Sequence, residues 1–584
     1  MDKFRFLLIL FFISMSFKLT SQEEEKKIVT EKLTVTKSFT PELNKVNKIR
    51  SKVTDKDIIK TDKMTVKYSL LDVPVISTFK PNKASPLKLK RNFSEESNHN
   101  SQFNFGLGNR DQLVFDLTSH VNLNRNERLG FDLINNNYGS IKNTLTPSDQ
   151  NLFVFGIQHS YSSQKVEVLN NLELNQMNSY YYGIYNDVST LSDPILLSNV
   201  ETFQKRTSFT TSSNWKWYNG FVKEALFKYR SSKDSFDSAE NFISLNAVLS
   251  FPIFGSNFLI SPQVSSIDTS FSEGYFDRLP MESFYSKAQT AFQLSNIINN
   301  FKYKIGGTIN YMFNQSNELT PELFFSPKIF LSYGQIGERF LPYLTLDGGL
   351  DFNRYFSLSL YNPYLAPTLN LIPTQTIFSG EVGFKSFFDS GVEFRFATHF
   401  KQQDNAPFFV RYPYDPSVIN QGYRLANSFG LEYDNLFTYG ILTEFSYDFN
   451  DDNLIRFSFA QFNYETENID HPWNLPDFEG NLSLGIKIQK KIRFNLSGRY
   501  IGVRPSAYRN VFPNLLPENS PISLDLVPGI FQLKTEVNYR YNKDWQIYIR
   551  NNINNSSSNS IWAYYPLNQN LFLAGLRYSF ALSL

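Results

Sequence analysis

From about residue 101 to the end of the chain, short segments alternate between apolar and polar residues. In 531–541, apolar residues at Phe531, Leu533, Val537, Tyr539 and Tyr541 alternate with Gln532, Lys534, Glu536, Asn538 and Arg540. The segments 113–123, 481–489 and 492–500 follow the same pattern. A period of two indicates β-strands, and strands of this length, tilted by about 45°, cross a bilayer. Because every strand edge in lipid must be paired, the pattern predicts a closed transmembrane β-barrel.

A soluble β-sandwich is the competing interpretation, because its strands also alternate. Sandwich strands are shorter, at about 5–6 residues, and a chain this long would need several such domains joined by linkers. No linker follows residue 100. We therefore expect an all-β, antiparallel, outer-membrane barrel over 101–584.

The connections between the predicted strands fall into a tight class and a long class. The tight turns are Asn124–Glu127, Gly255–Asn257, Asn299–Asn300, Asn450–Asn453, Lys490–Lys491 and Asn542–Asp544. The long connections are 184–201, 361–373, 405–436, 504–528 and 555–569. Outer-membrane barrels have short periplasmic turns and long outer loops. This asymmetry predicts the periplasm for both chain ends.

The number of strands follows from parity. A count that includes Arg424–Tyr433 as a strand gives 23, which would place the two ends of the chain on opposite sides of the membrane. Assigning that piece to the preceding outer loop restores the alternation of short and long connections. The sequence therefore predicts about 22 strands.

The composition agrees with a barrel and excludes other classes. The 584 residues include 57 Phe, 33 Tyr and no Cys, and past the N-terminus no run of 18 apolar residues could form a membrane-spanning helix. The absence of Cys removes disulfides, thiolate nucleophiles and most structural zinc sites.

The N-terminus divides into two predicted segments. Lys3, Arg5 and the apolar run that follows them predict a signal peptide over 1–21, with a short anchor helix as the alternative. Residues 22–100 hold 17 Lys/Arg against 11 Asp/Glu, whereas 101–584 hold 37 against 43. We expect an extended basic periplasmic or lumenal arm before an acidic barrel. An exported chain is not expected to bind nucleic acid.

The last strand carries a candidate signal for barrel assembly. Gly575, Tyr578 and Phe580 have the spacing G-x-x-Φ-x-Φ, where Φ is apolar or aromatic. This spacing resembles the recognition signal in the last strand of outer-membrane barrels, although four residues follow the final aromatic here. The terminal position gives the motif its specificity.

Near the start of the arm, Leu33, Thr34, Val35 and Thr36 form a short β-prone stretch. It resembles the box through which transport receptors add a strand to TonB in the periplasm. Only about 65 residues separate it from the first predicted strand, and a receptor plug usually needs about twice that length. We therefore expect a barrel without an ordinary plug.

Two stretches of the arm resemble a known family. Val35–Pro41 and Tyr68–Pro81 look like the N-terminal signature of a Bacteroidota outer-membrane barrel family labelled TonB-dependent receptor or TonB-dependent-receptor-like. The family is similar in turn, less closely, to an accessory barrel of the outer-membrane protein assembly (BAM) machinery. The resemblance implies a non-enzymatic protein with protein partners, and it implies no catalytic residues.

An apolar patch lies within the second of these stretches. It includes Val73, Pro74, Val75 and Phe79, and its prolines favour extended backbone over helix. We expect this patch to dock either on a partner or against the chain's own barrel wall. The two alternatives stay open at this point.

The sequence gives little evidence for a catalytic site or a metal site. His120 and His399 are expected to face the lumen beside Asp116 and Arg395, but no two of the five His lie within four residues of each other. Metal sites usually use closely spaced ligands, and no Ser stands in a nucleophile motif such as G-x-S-x-G. We expect no catalytic residues, no metal and no cofactor.

Three long connections carry aromatic-proline clusters. These are Tyr361–Pro367, Pro407–Tyr414 and Arg504–Tyr508. Exposed aromatics in stiff loops suit contact with a ligand or a protein. The alternatives are a place in the interfacial girdle or a fold inward as a lid.

Three functions compete on this evidence. A subunit of an outer-membrane assembly or transport machine best fits a partner-binding arm with no plug. A TonB-powered importer fits the stretch Leu33–Thr36 but lacks a plug to move. A passive porin fits a barrel alone, although an open lumen of 22 strands would leak. The fold does not decide between them.

Overall fold

The computed structural model describes residues 99–582, with gaps at 143, 185–199, 276–280, 315–321, 335–338, 389–390, 416, 418–419, 451, 510–521 and 556–560. The predicted signal peptide and all but the last two residues of the predicted arm lie outside the described residues. The candidate docking residues Leu33, Thr34, Val35, Thr36, Val73, Pro74, Val75 and Phe79 lie outside them as well.

Antiparallel strands account for most of the described chain. The first twelve are β1 (Ser101–Gly108), β2 (Leu113–Asn122), β3 (Glu127–Tyr138), β4 (Gln150–Ser162), β5 (Val166–Tyr180), β6 (Phe203–Trp217), β7 (Val222–Asp234), β8 (Ala239–Ile253), β9 (Ser256–Ser270), β10 (Glu282–Ile298), β11 (Phe301–Asn314) and β12 (Glu322–Tyr333). The rest are β13 (Phe340–Asp351), β14 (Thr374–Phe388), β15 (Val392–Arg411), β16 (Phe429–Asn450), β17 (Asn453–Thr466), β18 (Phe478–Ile488), β19 (Ile492–Ile501), β20 (Arg504–Arg509), β21 (Ile522–Val527), β22 (Ile530–Arg540), β23 (Trp545–Asn554) and β24 (Asn570–Phe580).

The strands close into a single ring. β1 pairs with β24 from Ser101↔Phe580 to Gly108↔Leu573, and β19 pairs directly with β22. The hairpin β20–β21 therefore stands outside the ring, which holds 22 strands. The predicted all-β barrel and its strand count are confirmed.

The two faces of the strands have opposite character. On β22 and β23, Val537 and Ile549 pair and point their exposed side chains outward. On the other face, Glu536 pairs with Arg550, and the two side chains form an ion pair. This arrangement, with apolar side chains outside and charged side chains inside, is the reverse of the arrangement in a soluble protein. It is the arrangement that a bilayer requires of a barrel.

Aromatic side chains gather on the outer face near one end of the barrel. The rings of Trp545 and Tyr578 lie 4.5 Å apart, and Phe580 stacks 5.5 Å from Tyr578. Aromatic rings are enriched at the level of the lipid headgroups, where one part of the ring contacts the apolar lipid and the other part contacts water. Tyr578 and Phe580 of the candidate assembly signal therefore lie in an aromatic girdle.

The two ends of the barrel differ in their connections. The ten connections at the end where β1 starts and β24 finishes span six residues or fewer, whereas those at the opposite end reach 28 residues, at 502–529. We call these the short-turn end and the long-loop end. All six predicted tight turns lie at the short-turn end. Gly255, with φ +75°, adopts there a left-handed turn conformation that glycine favours.

Two predicted long connections contain strand structure. β15 and β16 pair beyond a bulge between Gln403 and Ala406 and continue to Arg411↔Phe429. Assigning all of Arg424–Tyr433 to a loop was therefore wrong for its second half. The predicted even number of strands is still correct, because this pairing lengthens β15 and β16 and adds no further strand to the ring.

The predicted loop 504–528 was also only partly correct. It holds the hairpin β20–β21, which pairs in parallel with the end of β15 through Val410↔Ala507. The pairing persists because Phe408, Val410 and Ala507 bury apolar area together against Trp473.

Helical structure is scarce in the described residues. α1 (Tyr355–Tyr361) lies in the connection between β13 and β14, and a single 3₁₀ turn spans Gly422–Arg424. None of the helices in the described ranges has the length and apolarity to cross a membrane.

Candidate functional site: loops covering the lumen

Loops from positions around the ring meet in one aromatic cluster at the long-loop end. We call this cluster the cap, and its buried members are Tyr181, Tyr182, Phe271, Tyr275, Tyr355, Tyr364, Leu365, Ala366, Leu369, Leu371, Phe409, Tyr423, Phe429, Trp562 and Tyr565. They come from five connections and from the extended ends of β15 and β16. Loops rooted on different sides of a ring can share one core only by crossing its mouth.

The connection 352–373 forms the centre of the cap and is anchored to the barrel wall. The Tyr355 hydroxyl donates to Asp234 Oδ2 at 2.7 Å, and Gln204 Nε2 donates to the same hydroxyl at 3.2 Å. Arg206, only 4% exposed, donates from Nη2 to the Pro363 carbonyl at 2.7 Å. Charged hydrogen bonds in a buried site are among the stronger ones, so β6 and β7 hold this loop in place.

Four loops are joined to one another by hydrogen bonds inside the cap. The Tyr181 hydroxyl donates to the Leu365 carbonyl at 2.5 Å, and Asn427 Nδ2 donates to the Tyr181 carbonyl at 2.7 Å. The Tyr565 hydroxyl donates in turn to the Asn427 carbonyl. Each bond joins residues far apart in the chain, so the cap depends on several loops at once.

Ring stacking adds to these bonds. Tyr364 and Tyr565 stack with centroids 3.4 Å apart, and Tyr182 meets Tyr565 edge-on at 4.9 Å. Trp562 lies edge-on to Phe409 at 5.0 Å. Aromatic pairs of this kind contribute about 0.5–1.5 kcal/mol beyond their buried area.

A buried ion pair fastens the connection 412–428. Arg424 and Asp415 are both buried and form a salt bridge through Arg424 Nη1. The same guanidinium donates to the Gly274 carbonyl at 2.7 Å and to Gln421 Oε1 at 2.6 Å. Arg424 therefore joins its own loop to the connection 271–281.

The buried tyrosines of the cap keep their protons over the physiological pH range. Burial raises the pKa of Tyr364 to about 12, from an ordinary value of 10.0. Burial likewise raises the pKa of Tyr275 and Tyr565 well above 10.0. An ionised phenol without water is costly, so these hydroxyls form hydrogen bonds in their neutral state.

Below the cap, the lumenal wall carries paired charges. Arg395 bonds to Glu381, to Glu444 at 2.7 Å and to the Tyr343 hydroxyl at 2.7 Å. Glu536 is held between Arg550, at 2.8 Å, and Arg577, at 3.0 Å. Interleaved charges of both signs produce a polar lumen. No group of three or more His, Cys, Asp or Glu in the described ranges could hold a metal ion.

The structure shows where several predicted residues lie. His120 and His399 lie on the lumenal strand face, in register with Gly130 and Glu381. Gly575 is on β24, facing the lumen beside Tyr548. The role of Gly575, Tyr578 and Phe580 in assembly stays a prediction.

Several residues of the aromatic-proline clusters are buried, whereas Tyr361 of the first cluster stays exposed. Tyr364, Leu365 and Ala366 of the first cluster are buried in the cap, as is Phe409 of the second. In the third cluster, Ala507 is buried on the hairpin β20–β21. The prediction of a surface for ligand or protein contact was therefore wrong for these residues.

The polar anchors of the cap were not singled out from the sequence. The cap is anchored by four charged residues, which are Arg206, Asp234, Asp415 and Arg424. Of these, only Arg206 and Asp234 lie on strands, where the alternation of the sequence indicates that a residue faces inward. Alternation gives the face of a residue but not the loop that it binds. Asp415 and Arg424 lie nine residues apart in a loop, where no periodic signal exists.

Solved structures that resemble this chain align with 82% of it. The FrpB iron transporter of Neisseria meningitidis matches with a TM-score of 0.59 and 10% identity, over 82% of this chain and 81% of that one. The siderophore receptor PirA of Acinetobacter baumannii gives 0.58 and 12%, over 82% and 80%. This barrel resembles those of TonB-dependent outer-membrane receptors.

The ferripyoverdine receptor of the Pseudomonas aeruginosa outer membrane gives a similar result. Its TM-score is 0.57 at 11% identity, over 82% of this chain and 71% of that one. At such identities the likeness concerns the fold alone. No family model matches the sequence, and no curated protein is significantly similar to it.

Proposed function

We propose that this chain is a non-enzymatic outer-membrane β-barrel that serves as a subunit of a larger outer-membrane assembly or transport machine. In this proposal the long loops face the cell exterior and both chain ends lie in the periplasm. Residues 22–98 then reach protein partners there, through Leu33–Thr36 and through the patch that contains Val73, Pro74, Val75 and Phe79.

The observation that carries this proposal is the cap. Its loops are anchored by buried Arg206 and by the buried pair of Arg424 and Asp415. The buried pair and the aromatic core join loops from different parts of the ring, so a mouth covered in this way opposes free passage. A passive porin, which needs an open lumen, is the least supported of the three functions.

The sequence before the barrel supports the same choice. Between Thr36 and Ser101 the chain is short and basic, with little apolar alternation. A segment of that kind favours an extended arm over a folded plug. The resemblance of Val35–Pro41 and Tyr68–Pro81 to a Bacteroidota family suggests that the partners belong to the outer-membrane protein assembly machinery.

A TonB-dependent importer is the second candidate, and the barrel comparison favours it. The similar structures include an iron transporter and a siderophore receptor. For import, the cap would have to open during each cycle, which would separate Arg424 from Asp415 or move both together. Leu33–Thr36 would then be the segment that binds TonB.

Copurification distinguishes the two candidates. The chain is immunopurified from gently solubilised membranes, alongside a variant that lacks residues 62–83. If the chain is a machine subunit, defined protein partners copurify with it in fixed proportion. The variant that lacks residues 62–83 then loses these partners, while the abundance of the barrel stays the same. Recovery of a lone barrel in both cases, together with ligand uptake that depends on TonB, would establish the importer instead.

The orientation has its own test. An epitope inserted between β20 and β21 should be accessible to antibody on intact cells, whereas one inserted in the turn at Asn450–Asn453 should not. The opposite result would place the short-turn end outside.

A further inference from the structure

A pocket of about 330 Å³ lies between the cap and the barrel wall. Tyr361, Trp562 and Asn568 contribute from the loop side. Tyr138, Gln150 and Asn554 contribute from strands β3, β4 and β23. The volume lies within the range of small-molecule binding sites, about 300–1,000 Å³.

The strand residues of this pocket lie on the lumenal face. Asn554 pairs with Gln532. Every second pair along these two strands points to the same face, so Gln532↔Asn554 shares its face with Lys534↔Asn552 and with the lumenal pair Glu536↔Arg550. Tyr138 pairs with Gln150 at the same level of the barrel. The pocket therefore opens beneath the cap, towards the lumen.

The pocket is neutral, in contrast to the wall below it. None of the residues that line it within the described ranges is Asp, Glu, Lys, Arg or His. The lumenal wall elsewhere holds charge clusters around Arg395 and Glu536. The lining itself therefore offers an ion no charged partner in exchange for its water. The lining selects an uncharged ligand.

Two exposed rings can receive a flat apolar surface. The Tyr361 side chain is 62% exposed and that of Tyr138 is 48% exposed. Trp562 lies edge-on to Tyr361, with the ring centroids 5.6 Å apart. Large exposed rings in a polar lumen gain by contact with an apolar face.

Neutral hydrogen-bonding groups accompany the rings. Asn568 is buried, and its Nδ2 donates to the Gly139 carbonyl at 2.9 Å, but its Oδ1 has no hydrogen-bond partner. Gln150 Nε2 and Asn554 Nδ2 each have a partner, at 3.1 and 2.5 Å. The Asn568 acceptor is buried away from solvent, whereas the half-buried amides of Gln150 and Asn554 line the pocket and can exchange hydrogen bonds with ligand hydroxyl groups.

We propose that this pocket binds an uncharged saccharide unit. A sugar ring presents C–H faces to Tyr138 and Tyr361 and hydroxyl groups to the half-buried amides of Gln150 and Asn554, and it carries no charge. The proposal goes beyond the function proposed above and does not depend on it, because a machine subunit and an importer could each hold such a ligand.

Binding is tested on the purified full-length chain in a detergent without a sugar headgroup, since alkyl glycosides would compete. Maltose, cellobiose and chitobiose are titrated, and binding is followed by tryptophan fluorescence and by calorimetry. We expect saturable binding of at least one disaccharide. Glucuronic acid, which carries a negative charge, should bind at least tenfold more weakly than glucose.

Matched variants locate the site. Tyr361→Ala should weaken binding at least tenfold, Tyr361→Phe should retain it, and Tyr541→Ala, which removes an exposed ring elsewhere, should change nothing. Heat-modifiable migration on gels confirms that each variant forms a barrel. The proposal is overturned if none of the three disaccharides binds saturably, if Tyr361→Ala binds as the parent does, or if a neutral apolar peptide displaces the sugar.

Discussion

The ring of Tyr548 lies against Gly575 of the neighbouring strand, at the seam where the barrel closes. Gly106 of β1 is the next residue in the same row, so the register runs Gly106↔Gly575↔Tyr548. Tyr548 has 0% exposure, and a Cβ added to either glycine would overlap its ring. The Arg577 guanidinium lies over the same ring, 4.3 Å from its centroid. The two glycines make room for the aromatic side chain that packs across the closing strands.

Gly575→Val should therefore destabilise the closed barrel by about 1–3 kcal/mol, the usual cost of overpacking. The measurement is urea unfolding in detergent, with heat-modifiable migration as a second readout. Gly485→Val is the matched control, because a Cβ at Gly485 meets only ordinary contacts, 3.6 Å or more away. Equal losses in the two variants would contradict the role given to Tyr548.

Much of the barrel could be predicted from the sequence because alternation is local. A period of two shows which residues of β22 share a face, and the short turns then show where strands end. The cap could not be predicted in this way. Its contacts join residues distant in the chain, such as Arg206 with Pro363 and Arg424 with Gly274. The extensions of β15 and β16 were missed for a related reason, since a bulge near Ala406 interrupts the period.

The opposite character of the two strand faces predicts opposite sensitivity to charge. Val537 is 41% exposed on the outer face of β22, and Val537→Arg should cost about 2–4 kcal/mol in lipid. Lys487→Gln on the lumenal face should cost less than about 1 kcal/mol, because its pair with Asp452 is partly exposed. Both are measured by unfolding from lipid vesicles. Glu536 is unsuitable as the control, because it holds both Arg550 and Arg577.

The buried pair in the cap predicts a gating phenotype. Asp415→Ala leaves Arg424 buried without its counter-charge, a change that costs about 3–5 kcal/mol. We expect faster protease cleavage within 412–428 and higher conductance in planar bilayers, with the barrel itself intact. Asp452→Ala, which breaks the partly exposed pair at the short-turn end, should leave both readouts unchanged. Unaltered conductance and cleavage in Asp415→Ala would mean that the cap does not depend on this pair.

The buried tyrosines predict that the cap loosens in alkali. Burial raises the pKa of Tyr364 from 10.0 to about 12. A group with a raised pKa contributes its full stability below its unfolded value and loses it as pH rises towards the folded value. The cap should therefore be unchanged up to about pH 9 and weaken between about pH 10 and 12.

Tyrosinate absorbance near 295 nm, recorded together with protease cleavage of the cap loops, follows this transition. Tyr364→Phe removes one of the titrating groups and should reduce the loss. The absorbance difference between the parent and Tyr364→Phe isolates Tyr364 from the exposed tyrosines. If that difference showed Tyr364 ionising at pH 10 while the loops stayed resistant to protease, burial would not raise its pKa.

The last prediction concerns the N-terminal arm and separates the two candidate functions. If Leu33–Thr36 pairs with TonB as an added strand, Val35→Pro should abolish function without changing barrel abundance, because proline removes an N–H that the pairing needs. Loss of TonB should then give the same defect. If the arm docks on an assembly partner instead, Val35→Pro should be mild, deletion of 62–83 should release the partner, and TonB should be irrelevant.

We expect the second outcome, because a segment as short and basic as the one between Thr36 and Ser101 favours an extended arm over a folded plug that TonB could pull. Val35→Thr, which keeps the backbone N–H and a β-branched side chain, is the control that separates loss of the N–H from loss of the residue. Growth, partner recovery and barrel abundance are measured for each variant. A null phenotype for Val35→Pro that matches a TonB knockout, with Val35→Thr unaffected, would make this chain a receptor.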